Sequence, residues 1–134
     1  MASSHNKKGR SRRDTNFVML NRSLLRSPAY LSLSTQARAV LTELYDRYYG
    51  FNNGRIALSV RCAAGRCRIA KSTATKAFCE LEEKGFIECV TPGGFSRKTR
   101  HATEWRLTQY RCDITRAPPT KAFLKWGDEK KTRS

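Results

Sequence analysis

Acidic side chains are scarce in this 134-residue chain: 11 Asp and Glu stand against 27 Lys and Arg, a formal net charge of +16. Such an imbalance argues against a basic partner and points to a polyanion, nucleic acid first. Histidine is scarcer still, with only His5 and His101. There is no Gly-rich phosphate loop, no nucleophile elbow and no suspiciously spaced pair of carboxylates, so enzyme chemistry has little to stand on. No apolar run could cross a bilayer, and the first residues lack an apolar core. Neither a membrane span nor a secretory leader is expected, and the expected compartment is the cytoplasm, at the nucleoid. The five cysteines, Cys62, Cys67, Cys79, Cys89 and Cys112, contain no Cys-x-x-Cys and no other metal-ligand spacing. No metal, cofactor or small-molecule ligand is therefore expected. The cysteines read as reduced, with Cys62 and Cys67 used as small apolar residues on a helix.

What remains is enough chain for one domain of roughly 90 to 100 residues plus tails. Residues 1–15, MASSHNKKGRSRRDT, carry no periodic apolar positions and read as a disordered basic arm. Its Lys7, Lys8, Arg10, Arg12 and Arg13 either grip phosphates without sequence preference or simply aid solubility. The folded domain is expected over 16–110, with a C-terminal extension over 111–134. In that extension Phe123, Leu124 and Trp126 either pack back or dock a partner.

Within the domain, Phe17 to Leu20 suggest a short strand or turn on the core, Asn21-Arg22-Ser23 a brief helix, and Pro28 its end. Ser34 is an N-cap type before the longest helix, Thr35 to about Tyr49, with the stripe Ala37, Val40, Leu41, Leu44, Tyr45 and Tyr48. Arg38, Asp46 and Arg47 fall on its opposite face. GFNNG, residues 50–54, is a turn by composition, and Arg55 to Leu58 a short strand with Ile56 and Leu58 inward.

Ser59 to Ile87 reads as two helices joined by a tight turn, then a strand. Val60, Ala63, Ala64 and Cys67 share one face of the first helix. Ala74, Ala77, Phe78 and Leu81 share one face of the second, which starts near Ser72. Lys71, Ser72, Thr73, Thr75 and Lys76 are left facing outward. Glu80, Glu82 and Glu83 read as a solvated face, and Lys84-Gly85 as a cationic, left-handed helix end. A hairpin follows: Phe86 to Thr91, a break at Pro92-Gly93-Gly94, and a return strand Thr103 to Thr108. The return strand alternates Trp105 and Leu107 against Glu104, Arg106 and Thr108. Between the strands, Phe95 to His101 is a loop with Arg97, Lys98 and Arg100 and no acid.

This order resembles the winged helix-turn-helix of bacterial DNA-binding proteins, above all in the run Leu81-Glu82-Glu83-Lys84-Gly85-Phe86-Ile87. The return strand Thr103 to Thr108 is similar to that of winged-helix proteins of bacterial genomes and plasmids. Two positions depart from the family pattern: Arg68 stands where glycine is usual in the turn, and Ala70 where a serine cap is usual. The resemblance implies an α+β, mostly α fold: a three-helix core with a short strand, a β-hairpin wing and flexible basic tails. It implies a double-stranded DNA partner, with the second helix in the major groove. Ser72, Thr73 and Lys76 would then face base edges, and Lys71 and Thr75 would share base and phosphate contacts. Arg61, Arg66 and Arg68 would meet flanking phosphates, and Arg97, Lys98 and Arg100 would form the wing contact. Three roles are open: a transcriptional regulator acting as a homodimer, a plasmid or phage replication or recombination factor, and a winged helix that binds RNA or a protein.

Overall fold

The computed structural model describes residues 17–96 and 99–126, and gives only the backbone for the short strands at 94–96 and 99–101. The chain is α+β. In order come α1 (Arg22–Leu25), α2 (Pro28–Leu31), α3 (Thr35–Asp46), β1 (Ile56–Ala57), α4 (Val60–Cys67), α5 (Lys71–Glu83), β2 (Ile87–Thr91), β3 (Gly94–Ser96), β4 (Thr99–His101) and β5 (Glu104–Leu107). A helical turn begins again at residue 123. Strands β1, β5 and β2 form an antiparallel sheet in that spatial order, and β3 pairs with β4.

The helices form where the apolar period and the caps agree. Ser34 Oγ accepts from Ala37 N at 3.1 Å and Ser59 Oγ accepts from Cys62 N at 3.1 Å, so both serines cap the helices that follow them. Ala37, Val40, Leu41, Leu44 and Tyr45 of α3 are buried, as are Ala63 and Ala64 of α4 and Ala74, Ala77, Phe78 and Leu81 of α5. The small residues let the helix backbones approach, and α5 then meets the sheet through Phe78, stacked on Trp105 with centroids 4.9 Å apart. Such a pair adds about 1 kcal/mol beyond its burial. Helix α3 stops at Asp46, one turn short of Tyr49, and Tyr48 is half-buried against the core.

Several expectations are overturned. Phe17, Val18 and Met19 form no strand and are exposed, and of that segment only Leu20 packs against the core. Pro28 ends one helix and opens another, because its missing N–H costs nothing at a first helical position; Ser27 Oγ caps that turn, accepting from Tyr30 N. Arg38 is half-buried and engaged. Its Nη2 donates to the Tyr30 and Leu31 carbonyls, both at 3.2 Å, and its guanidinium lies 4.7 Å from the Tyr30 ring centroid. A cation there satisfies the last carbonyls of α2. The loop expected at 95–101 contains β3 and β4, in register Gly94 to His101 and Ser96 to Thr99. Cys62, Cys79 and Cys89 are exposed, so the cysteines are not uniformly small core residues; Cys112 is buried.

The return strand β5 is buried on both faces rather than one. Arg106 is only 7% exposed, donating to Glu88 Oε1 at 3.2 Å and to the Pro118 carbonyl at 2.7 Å. Thr108 is fully buried, its hydroxyl donating to the Gly85 carbonyl at 2.6 Å. The second cover comes from the segment after residue 110. Phe123 is fully buried and stacks on Phe86 with centroids 5.0 Å apart, so this segment belongs to the same core. Trp126 is half-buried with the Lys84 ammonium 4.9 Å from its ring centroid, while Leu124 is 39% exposed. The close approach requires glycine at 85: its φ is +86°, and a Cβ would stand 2.7 Å from Ala122 C and Phe123 N.

Glu80 is a latch between helices, not a solvated charge. Its carboxylate accepts from Ser34 N at 2.9 Å and Ser34 Oγ at 2.8 Å, and pairs with Lys84 at 3.3 Å. Burial alone would raise its pKa, but the two Ser34 hydrogen bonds and the Lys84 ammonium outweigh it and hold the carboxyl below its ordinary 4.5. A depressed folded pKa contributes stability at pH values above the unfolded pKa, and that contribution is lost as pH falls through the folded value. Urea denaturation should therefore show wild-type stability falling more steeply than that of Glu80→Gln below about pH 4.5. Parallel curves would remove the latch from the stability account.

Candidate nucleic-acid interface

Helix α5 has two chemically distinct faces. The inner one carries Ala74, Ala77, Phe78 and Leu81; the outer one carries Lys71, Ser72, Thr75, Lys76 and Cys79, all exposed. The outer residues lie along one stripe about 12 Å long from Lys71 to Cys79 at 1.5 Å per residue. The helix starts at Lys71 with Ala70 as N-cap, and no side chain caps it. Ser72 is therefore not the cap but a first-turn residue with a free hydroxyl. The N–H groups of the first turn stay open, at the positive end of the helix dipole. Thr75 Oγ1 donates to the Lys71 carbonyl at 3.1 Å, which orients its remaining lone pairs outward. Thr73 is half-buried, so it is less accessible than its neighbours. Cys79 was not singled out in the sequence, although its spacing of three and four from Lys76 and Thr75 places it on this stripe.

The stripe changes sign along its length. Glu82 and Glu83 continue it at the C-terminal end and are exposed. Beyond them a groove of about 270 Å³, lined by Glu82, Glu83, Glu88, Lys125 and Trp126 among others, lies at the end of α5 remote from Lys71. A polyanion can approach only the N-terminal half of the helix without meeting these acids.

Arg68 explains how the turn is made without glycine. It occupies the left-handed region itself, at φ 58° and ψ 50°, as the C-cap of α4. A side chain there costs about 1–2 kcal/mol relative to glycine. Its exposed cation is placed at the mouth of the turn. Arg68→Gly should raise stability by about 1 kcal/mol in urea denaturation while weakening DNA binding. A variant that is both more stable and fully active would leave the arginine without a reason.

The other cations differ in availability. Arg61, in the first turn of α4, is exposed. Arg66 is exposed but committed: its Nε lies 3.0 Å from Glu43 Oε1, and Glu43 also holds Arg47 at 3.1 Å. The hydrogen bond to Glu43 and then its charge push the Arg66 guanidinium above its ordinary pKa. Arg66 therefore bridges α4 to α3. Arg100 lies on β4, with only its backbone described; Arg97 and Lys98, and the arm 1–15, lie outside the described residues.

Among the described residues no group of three or more His, Cys, Asp or Glu could hold a metal ion, and no helix is long and apolar enough to cross a membrane. Comparisons with protein-family models, curated proteins and solved structures each found no match.

Proposed function

We propose that this chain binds double-stranded DNA sequence-specifically through a winged helix-turn-helix, and serves as a bacterial transcriptional regulator. The observation that carries the reading is the outer stripe of α5. A 13-residue helix, anchored on its inner face by four core side chains, presents Lys71, Ser72, Thr75 and Lys76 around an uncapped N-terminus. A helix fits the major groove, which is about 12 Å wide. Entering N-terminus first, it keeps Glu82 and Glu83 away from the phosphates. Ser72 and Lys76 then reach base edges, with the half-buried Thr73 contributing at most from the side, and Lys71 and Thr75 reach the backbone. Arg61 and Arg68 take flanking phosphates, and Arg97, Lys98 and Arg100 take the adjacent backbone or minor groove. Serine and threonine hydroxyls accept from or donate to either base type, and lysine prefers guanine acceptors. Direct readout is therefore modest, and charge supplies much of the affinity, in keeping with the net +16.

The test is fluorescence anisotropy on duplex DNA across a salt series. Log affinity should fall with log salt at about 0.9 per phosphate neutralised, and selection from a random library should then yield a cognate site. Flat or absent duplex binding, or a clear preference for RNA duplex, would overturn the reading.

A further inference from the structure

The turn between α3 and β1 is held rigidly and yet exposes two aromatic rings. Tyr49 is 66% and Phe51 70% exposed, and they contact only edge to face, centroids 5.1 Å apart. Rings left in water this way cost free energy, and rings on a well-fixed turn lose little entropy when they bind. The fixing is visible in the hydrogen bonds. Tyr49 N donates to Asn52 Oδ1 at 3.0 Å, Asn52 Nδ2 to the Arg47 carbonyl at 2.9 Å, and fully buried Asn53 ties the turn to the Leu107 and Arg111 backbones. Two exposed cations belong to backbone tied to this turn: Arg55, whose N donates to the Asn52 carbonyl, and Arg111, whose carbonyl accepts from Asn53 Nδ2. Of the nearby acids, Asp113 is engaged by Asn53 N at 2.8 Å, and Asp46 is exposed at the end of α3.

We infer that the 48–54 turn is a stacking platform for unpaired bases of a DNA strand, with Tyr49 and Phe51 as the ring faces and Arg55 and Arg111 as phosphate contacts. Every base has a π-face, so aromatic rings beside cations bind single strands with little sequence preference. Charge selects this occupant over a second copy of the chain. Self-association here would press Arg55 and Arg111 against their equals on two chains of net +16 each. The platform also adjoins the duplex-facing side: Arg47, at the start of the turn, has Nη2 3.2 Å from Cys62 Sγ, next in sequence to Arg61. DNA rather than RNA is taken from the duplex reading above, on which the inference rests to that extent.

The test is anisotropy with the full chain and three labelled probes: oligothymidylate of about 20 nucleotides, oligouridylate of the same length, and a blunt duplex of matched phosphate number. Tyr49→Ala/Phe51→Ala should weaken oligothymidylate binding roughly 10- to 100-fold and leave the blunt duplex unaffected. Tyr49→Phe/Phe51→Tyr, which keeps both rings, should retain binding. Both rings are exposed, so circular dichroism melts of the two variants should overlay the wild type. Unchanged oligothymidylate affinity in the alanine variant overturns the platform, as does an equal loss on the blunt duplex. Tighter, equally ring-dependent binding of oligouridylate overturns the assignment to DNA. Ring-dependent oligothymidylate binding by a chain that ignores the blunt duplex upholds the platform and overturns the duplex reading alone.

Discussion

Asn53→Ala should destabilise the fold by about 4 kcal/mol, because one side chain does the work of a missing strand residue. Its Oδ1 accepts from Leu107 N at 2.6 Å, and the two hydrogens of its Nδ2 are shared among the Leu107, Tyr110 and Arg111 carbonyls at 3.0, 3.2 and 2.9 Å. The amide thus pairs with both backbone groups of Leu107, as a peptide unit extending β1 along β5 would. Alanine leaves these groups buried without that partner. Each costs about 1–3 kcal/mol when it is orphaned, and less where water or another donor reaches it. Leu107 O still accepts from Tyr110 N at 3.4 Å, so three groups lose their partner, the Leu107 N–H and the Tyr110 and Arg111 carbonyls; partly relaxed, they give the stated total, and a melting temperature lower by roughly 15–20 °C. Asn53→Asp makes a sharper control. Its carboxylate can still accept from Leu107 N but would face three carbonyl oxygens, so it should be no better than alanine at neutral pH. A loss below about 1 kcal/mol, typical of a surface turn, would show that the turn stands without its amide.

That residue marks the boundary of what the sequence could disclose. The four inward positions of α5, the stripe of α3 and the caps Ser34 and Ser59 are legible because they are local: a period of 3.6 and a serine before it. Gly85 is legible for the same reason, as a helix end, though its second role against Ala122 and Phe123 is not. Asn53 within GFNNG looks like any turn asparagine, because its partners lie 54 to 58 residues away. Arg106 and Thr108 read as outward residues on an alternating strand. They are buried because the chain after 110 returns to cover their face, and no period announces a returning segment. Glu80 reads as one of three acids on a solvated face, yet the packing of α5 on α3 sets it against Ser34, 46 residues away. The candidate interface divides the same way. That Lys71, Ser72, Thr75 and Lys76 share an outer face follows from spacing, whereas the engagement of Arg66 by Glu43 and the partial burial of Thr73 depend on tertiary neighbours.

Replacing Lys71, Arg97, Lys98 and Arg100, the proposed phosphate contacts, together by alanine should reduce the salt dependence of duplex binding by about 3.6 in log–log slope. At 0.15 M salt each released counterion is worth about 1 kcal/mol, so affinity should drop roughly 1000-fold. The subsets should separate by what they touch. Lys76→Ala, on the outer stripe of α5, should weaken a selected cognate site more than random duplex, since it removes a base contact. Arg97→Ala/Arg100→Ala should weaken both alike, since phosphates carry no sequence. Arg66→Ala supplies the internal control. Its guanidinium already lies 3.0 Å from Glu43, so its removal should leave the slope near the wild-type value while loosening α4 from α3. A slope lowered as much by Arg66→Ala as by Lys71→Ala would mean that net charge alone governs the affinity, and that the stripe on α5 has no special standing.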